Sequence, residues 1–266
     1  MEQIYELFNK IKDKQPLVHH ITNSVTMNDC ANAVLALGGR PVMADSPNEA
    51  AEMAAQSSSL VINIGTLAEE TVELMLKAGK AANEKGIPVI FDPVGVGATQ
   101  FRSQSAKTIL ANIDCSIICG NMSEIRALAG LPSSGQGVDS GDSMDGAEEL
   151  AKELAGELKA TIAITGAIDA VSDGERTVRI QNGHPMLASL TGTGCMTNSL
   201  IGVFAGTENK PFEAAAAGIL AMGLAGEKAY RHLAANEGAG MFRVRLFDAL
   251  STLAVEDLKK GARING

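Results

Sequence analysis

Residues 88–98 read Pro88-Val89-Ile90-Phe91-Asp92-Pro93-Val94-Gly95-Val96-Gly97-Ala98. An apolar run that ends in a carboxylate and a glycine-rich turn is the pattern of a strand delivering a side chain to a ligand-binding sheet edge. Two other segments share the layout: Ser116-Ile117-Ile118-Cys119 runs into Gly120-Asn121-Met122-Ser123-Glu124, and Ala163-Ile164 runs into Thr165-Gly166. Strand-like runs at 17–21, 60–64, 88–91, 114–119 and 161–164 alternate with helical periodicity at 27–37, 68–84, 103–111, 122–129 and 143–158. This alternation predicts an α/β fold, a three-layer sandwich with a mostly parallel central sheet.

Residues 169–181 break the alternation. There Asp173-Gly174 separates Ala170-Val171-Ser172 from Arg176-Thr177-Val178-Arg179-Ile180, which predicts a hairpin and an antiparallel edge. Beyond Gly194 the chain reads as helical almost to its end, over 196–205, 211–234 and 241–260, and these helices are expected on one sheet face. The stretch 131–142, rich in Gly and Ser with Pro132, is the clearest loop. No repeat or linker divides the 266 residues, so one domain over 1–266 is expected.

Hydrophobic residues make up 45% of the chain and aromatics 3%, a balance suited to helices packed on a sheet and poor in surfaces for stacking bases. The formal net charge of -9 argues against a nucleic-acid backbone as partner, since that needs clustered Lys and Arg. A small ligand is expected, and phosphate remains possible where magnesium and a helix terminus supply the positive field. Cys30, Cys115, Cys119 and Cys195 are too few for a disulfide framework and match no zinc spacing, which points to a reducing, cytoplasmic setting. Residues 1–14 read as a helix, and no stretch is long and apolar enough to span a membrane.

The standard nucleotide fingerprints are absent: there is no G-x-x-x-x-G-K-S/T, and Gly95-Val96-Gly97 and Gly192-Thr193-Gly194 each lack a third glycine. Thr191-Gly192-Thr193-Gly194-Cys195 nevertheless precedes an apolar helix. Without Cβ atoms an anion approaches closely, and the first helical turn offers unpaired N–H groups and about half a positive charge. A thiol in that field is expected to have a lowered pKa, which makes Cys195 a candidate for chemistry. The alternative is a tight strand-to-helix turn of small residues.

Asp92 is a candidate for holding hydrated magnesium, or else a turn-forming Asp-Pro step. Asn121 and Glu124 have capping-box spacing, which accounts for both without a ligand; the functional reading makes Glu124 a second carboxylate reaching magnesium through water. Thr165 is a phosphate contact if Gly192 to Cys195 lie nearby. His19 and His20 point to opposite faces of a strand and cannot chelate one metal, and one of them is expected to be buried. His184 and His232 have no partner at useful spacing. Met53 and Met75 read as core filler, and Met43, in Pro41-Val42-Met43-Ala44-Asp45, is the exception.

Several motifs recur in a fixed order: Val18-His19-His20-Ile21-Thr22-Asn23, Asn28-Asp29-Cys30-Ala31-Asn32, Pro41-Val42-Met43-Ala44-Asp45, Asp92-Pro93-Val94-Gly95, Gly120-Asn121-Met122-Ser123-Glu124 and Gly192-Thr193-Gly194-Cys195. Spread over most of the chain, they resemble the hydroxyethylthiazole kinase family of the ribokinase-like superfamily. The resemblance implies transfer of the ATP γ-phosphoryl group to the primary alcohol of 4-methyl-5-(2-hydroxyethyl)thiazole in thiamin salvage, with Mg2+ as cofactor. It implies an anion hole at Gly192 to Cys195, with Gly192 and Gly194 in it, and magnesium organised by Asp92 and Glu124. Asn23, Met43 and Gly192 would border the thiazole, and Cys119, Asn121 and Thr165 would lie at the ATP. Cys195 stands where related sugar kinases carry an aspartate base. A homotrimer with pockets between subunits is implied as well.

One position departs from the family pattern. An Arg or Lys usually precedes the Gly-Asn step and meets the ATP phosphates, and here the residue is Cys119. A neutral thiol does not replace that charge. Weaker ATP binding, another phosphate donor, or compensation by Arg102 or Arg126 are the alternatives. Two other readings use the same motifs: an ATP-dependent dehydratase of hydrated nicotinamide nucleotides, whose catalytic residue is an aspartate rather than Cys195, and a non-catalytic thiazole-binding module, which only Cys119 favours.

Overall fold

The computed structural model describes residues 1–131 and 146–266. Along the chain, α1 (Glu2–Lys14) leads into β1 (Leu17–Ile21), α2 (Met27–Leu37), β2 (Arg40–Val42), α3 (Ala50–Gln56) and β3 (Ser59–Asn63). Next come α4 (Glu69–Lys85), β4 (Val89–Asp92), α5 (Gln100–Asn112), β5 (Ile117–Asn121) and α6 (Met122–Leu128). The second part holds α7 (Ala147–Leu158), β6 (Thr161–Thr165), β7 (Asp169–Ser172), β8 (Thr177–Ile180) and a 3-10 turn at Pro185–Ser189. It ends with α8 (Thr193–Thr207), α9 (Pro211–Arg231), α10 (Ala239–Ser251), α11 (Val255–Gly261) and β9 (Ile264–Asn265).

The strands form one nine-stranded sheet in the order β2-β1-β3-β4-β5-β6-β7-β8-β9. Pairing is parallel from β2 to β6 and antiparallel from β6 to β9. Successive strand side chains alternate between faces, and both faces are covered. Val18, Val61, Ile90, Ile117, Ala163 and Val171 pack against α1, α2, α8, α9 and α10. Leu60, Ile62, Phe91, Ile118 and Ile162 pack against α3 to α7. The C-terminal helices thus share one face, as expected. The α8–α9 contact is close because Gly218 has no side chain, and a Cβ there would lie 2.5 Å from Ile201 Cγ1.

Several expectations change in detail. The hairpin at β7–β8 forms as predicted, but β9 pairs beyond β8, so the hairpin is not the sheet edge. The segments β2, α3 and β9 carried no recognisable sequence signal because they are short and their pairing is remote. The helix expected over 241–260 is two helices. The Ser251 and Thr252 hydroxyls both bond back to the Asp248 carbonyl, and the Asp257 carboxylate accepts the Ala254 N–H that opens α11. Residues 132–142 of the expected loop and 143–145 of the expected helix lie outside the described residues.

Candidate active site

In the parallel part of the sheet, β1 lies between β2 and β3, so the chain leaves β1 and β3 in different lateral directions. Ligands of open α/β sheets bind beyond the strand ends at such a reversal. A cavity of about 600 Å³ lies there, lined by Asn23 after β1, Gly65 after β3, Asp92, Cys119 to Asn121, Thr165, and residues 188–195.

The start of α8 forms one wall. Gly192 is its N-cap, with φ +85°, and a Cβ at this position would lie 2.3 Å from Thr26 Cγ2. Both the conformation and the close approach require glycine. The Met196 N–H bonds to the Gly192 carbonyl, so the N–H groups of Thr193, Gly194 and Cys195 precede the helical ladder and carry its positive end. Gly194 is exposed, with nothing within 4 Å of a Cβ built on it.

Two carboxylates form the floor. Glu124 closes the capping box of α6: Asn121 Oδ1 accepts the Glu124 N–H and Glu124 Oε2 accepts the Asn121 N–H. Glu124 Oε1 accepts the Gly95 N–H at 2.9 Å, tying the glycine turn after β4 to the start of α6. Asp92 is 3% exposed. Burial, then the facing Glu124 charge, pushes its pKa up to about 8, while hydrogen bonds from Asn198, Asn63 and Cys195 work the other way. Burial also raises Glu124, against the Gly95 and Asn121 N–H groups and the Arg102 charge.

Asn63, which carried no sequence signal, joins these walls. Its Nδ2 donates to Asp92 Oδ2 at 2.5 Å and to Cys195 Sγ at 3.2 Å, and its Oδ1 accepts from Asn23 Nδ2 and the Gly65 N–H, both at 2.9 Å. Asn23 Nδ2 also reaches Cys195 Sγ, at 3.4 Å. Asn198 is a second unforeseen member: its Nδ2 bonds to the Cys119 carbonyl, and its buried Oδ1 has no hydrogen-bond partner among the described residues.

The model of the hydroxyethylthiazole kinase family matches residues 8–256. The chain is 50% identical to a hydroxyethylthiazole kinase of Alkaliphilus oremlandii over 99% of its own length and 97% of the relative's. The chain belongs to the hydroxyethylthiazole kinase family. A hydroxyethylthiazole kinase structure from Pyrococcus horikoshii OT3 superposes with a TM-score of 0.90 at 40% identity, covering 100% of this chain and 99% of that one. A ribokinase-like superfamily protein from Enterococcus faecalis V583, with TM-score 0.64, 12% identity and coverage of 94% and 95%, shares the fold. Family membership displaces the dehydratase and binding-only alternatives.

Within this family frame, the cavity brings together Asn23, Asp92, Cys119, Asn121, Glu124, Thr165, Gly192, Gly194 and Cys195. Met43 lies outside it, half-buried just past the edge strand β2. Cys195 overturns the expectation of a lowered pKa. Burial first, then the Asp92 and Cys30 charges, hold its thiol well above the usual range, against hydrogen bonds from Thr26 and Asn63. Arg102 is the one cationic side chain among the described lining residues, and its guanidinium is already bound to the carbonyls of Ile64, Gly65 and Val94. Arg126 is not among the described lining residues. Cys119 is 1% exposed, and Asp92, Asp169 and Glu124 all raise its pKa after burial. His19 and His20 are both buried, on different partners: His19 Nε2 meets the Ala44 carbonyl and His20 Nε2 meets Ser199 Oγ. His184 stacks on Tyr230 at 3.5 Å between ring centroids.

Proposed function

We propose that this chain phosphorylates the primary alcohol of hydroxyethylthiazole from ATP, in thiamin salvage. The observation that carries the proposal is the glycine-capped start of α8, whose open N–H groups share one cavity with Asp92 and Cys195. Phosphoryl transfer depends mostly on positioning and on stabilising charge as it spreads over the transferring group. The N–H groups of Thr193, Gly194 and Cys195 are pre-oriented for that charge. Asn23 and Gly192 border the thiazole, Gly192 at its hydroxyethyl arm. Asn121 and Thr165, paired at the ends of β5 and β6 and lining the same cavity, would meet the ATP. Cys195 stays a protonated thiol at neutral pH, so it orients the alcohol and assists a late proton transfer rather than generating an alkoxide.

The residues present fit magnesium. Asp92 and Glu124 are buried carboxylates that line the same cavity, close enough for the Glu124 charge to act on Asp92, and the buried Oδ1 of Asn198, whose side chain bonds to Asp92, is unpaired among the described residues. One or two carboxylates, water and phosphate oxygens make up a usual magnesium shell. Asp92 would hold the ion directly, and Glu124, whose oxygens already accept two N–H groups, would hold it through water. Bound there, magnesium would neutralise the charge of the phosphate groups.

Met43 lies away from its own chain's cavity, and Val25, Leu35, Met241 and Val244 expose apolar surface on and beside α2 and α10. Both features support a homotrimer in which Met43 of one subunit completes a neighbour's thiazole pocket. No helix among the described residues is long and apolar enough to cross a membrane. The four free cysteines suit the cytoplasm.

ADP release from Mg-ATP, compared for hydroxyethylthiazole, hydroxymethylpyrimidine and ribose, tests the proposal. Thiazole-dependent release that disappears in Asp92→Ala supports it. Folded protein that binds the thiazole yet releases no ADP with any donor would overturn it.

A further inference from the structure

We propose that Asn63 is a positioning residue for the transfer, holding the Cys195 sulfur and the Asp92 carboxylate in fixed register; this rests on the kinase reading above. The orientation of its amide follows from its neighbours. The Gly65 N–H can only donate, so the Asn63 atom it meets at 2.9 Å is Oδ1, and the opposite end is the NH2 group. That group sends one hydrogen to Asp92 Oδ2 at 2.5 Å and the other to Cys195 Sγ at 3.2 Å. Asn23 is oriented in the same way: the Thr26 N–H fixes its Oδ1, which turns its NH2 toward Asn63 Oδ1 and the same sulfur.

Every hydrogen-bonding position of Asn63 is therefore occupied by protein, and at 2% exposure it has no surface left for substrate. It acts through what it holds. Asn63 pairs directly with Asp92 in the β3–β4 register, so backbone and side chain set the same spacing. Cys195 arrives from another layer, on the first turn of α8, and its thiol is free to rotate about χ1 except where an acceptor or donor stops it. Two amide N–H groups converge on the sulfur, beside its contacts with Thr26 and Asp92, and together they select one rotamer.

The test separates positioning from simple folding. Asn63→Asp keeps the shape and the Oδ1 that serves Asn23 and Gly65, but loses both N–H donors. Measured by calorimetry without ATP, thiazole binding should stay within about threefold of the parent while kcat falls about tenfold or more, with KM little changed. In a Cys195→Ala background the same substitution should lower kcat clearly less than it does in the parent, because one of the two groups it positions is gone and only the Asp92 contact remains to be lost. Asn63→Ser carries no added carboxylate and should repeat the pattern, including where Asn63→Asp folds poorly. Binding and kcat falling in proportion, or an undiminished loss in the Cys195→Ala background, would overturn the assignment. Failure of the kinase reading is separate: the parent itself would then release no ADP with the thiazole.

Discussion

The Glu124 carboxylate accepts the Gly95 backbone N–H at 2.9 Å, and this bond locks the turn after β4 to the start of α6. Glu124 is thus a cap, a loop anchor and one of two facing acids. Its structural and chemical roles can be separated by substitution. Glu124→Ala strands the Gly95 and Asn121 N–H groups and should cost about 2–4 kcal/mol in urea unfolding. Glu124→Gln retains one acceptor oxygen and should cost about half as much. Turnover should collapse in both, since neither carries the charge; a Gln variant of normal kcat would remove Glu124 from the chemistry.

Gly192 and Gly194 differ sharply although they stand two residues apart. Gly192→Ala forces a methyl against Thr26 at a positive φ and should cost about 2–3 kcal/mol of stability along with most activity. Gly194→Ala enters open space and should leave the melting temperature unchanged. Its methyl would stand where an anion approaches, so KM for ATP should rise about tenfold. Unchanged kinetics in Gly194→Ala would argue against an anion hole there.

Cys195→Ser should keep measurable turnover, with kcat reduced about tenfold, because a protonated thiol in an assisting role is replaced by another donor and acceptor. Cys195→Asp restores the base that related sugar kinases carry and should be at least as active as the Ser variant. A complete loss in Cys195→Ser, with the protein folded, would mean that the sulfur does more than orient.

Cys119→Arg should lower KM for ATP about threefold or more, since the site is flanked by Asp92, Asp169 and Glu124 and lines the cavity. Some loss of melting temperature is expected from enlarging a side chain that is 1% exposed. An unchanged KM in a folded variant would show that the missing basic residue is not what limits ATP binding.

Asp169 gives a pH signature away from the carboxylate pair. Burial raises its pKa to about 7 from 3.8, against one hydrogen bond from the Gly166 N–H. The folded form keeps a proton that the unfolded chain has released, so this contribution to stability is full below pH 3.8 and is lost as pH rises through about 7. The separation corresponds to at most ~4 kcal/mol. Asp169→Asn still accepts the Gly166 N–H, so its melting temperature should decline less than the parent's between about pH 5 and pH 8. Parallel curves would contradict the assignment.

What could be read from the chain alone was local. The β4 run into Asp92 and its glycine turn, the Asn121–Glu124 capping box and the Gly192 turn each depend on residues within a few positions of one another. Local propensity and hydrogen bonding suffice to write them. The short β2 and β9 were not legible, because a strand of two or three residues exists only through its neighbour.

Tertiary structure alone decided how the site is wired. Asn63 lay unmarked within the strand-like run 60–64, yet folding sets it on Cys195, 132 positions away, and on Asp92, 29 positions away. The Cys195 thiol was misjudged for a related reason: its helix-start position is written in the sequence, but its burial beside Asp92 is not. Which groups stand at the strand ends was legible in the chain, because backbone periodicity is short-ranged. Their mutual distances, burial and protonation came from packing, because desolvation and charge act through space between segments far apart in the chain.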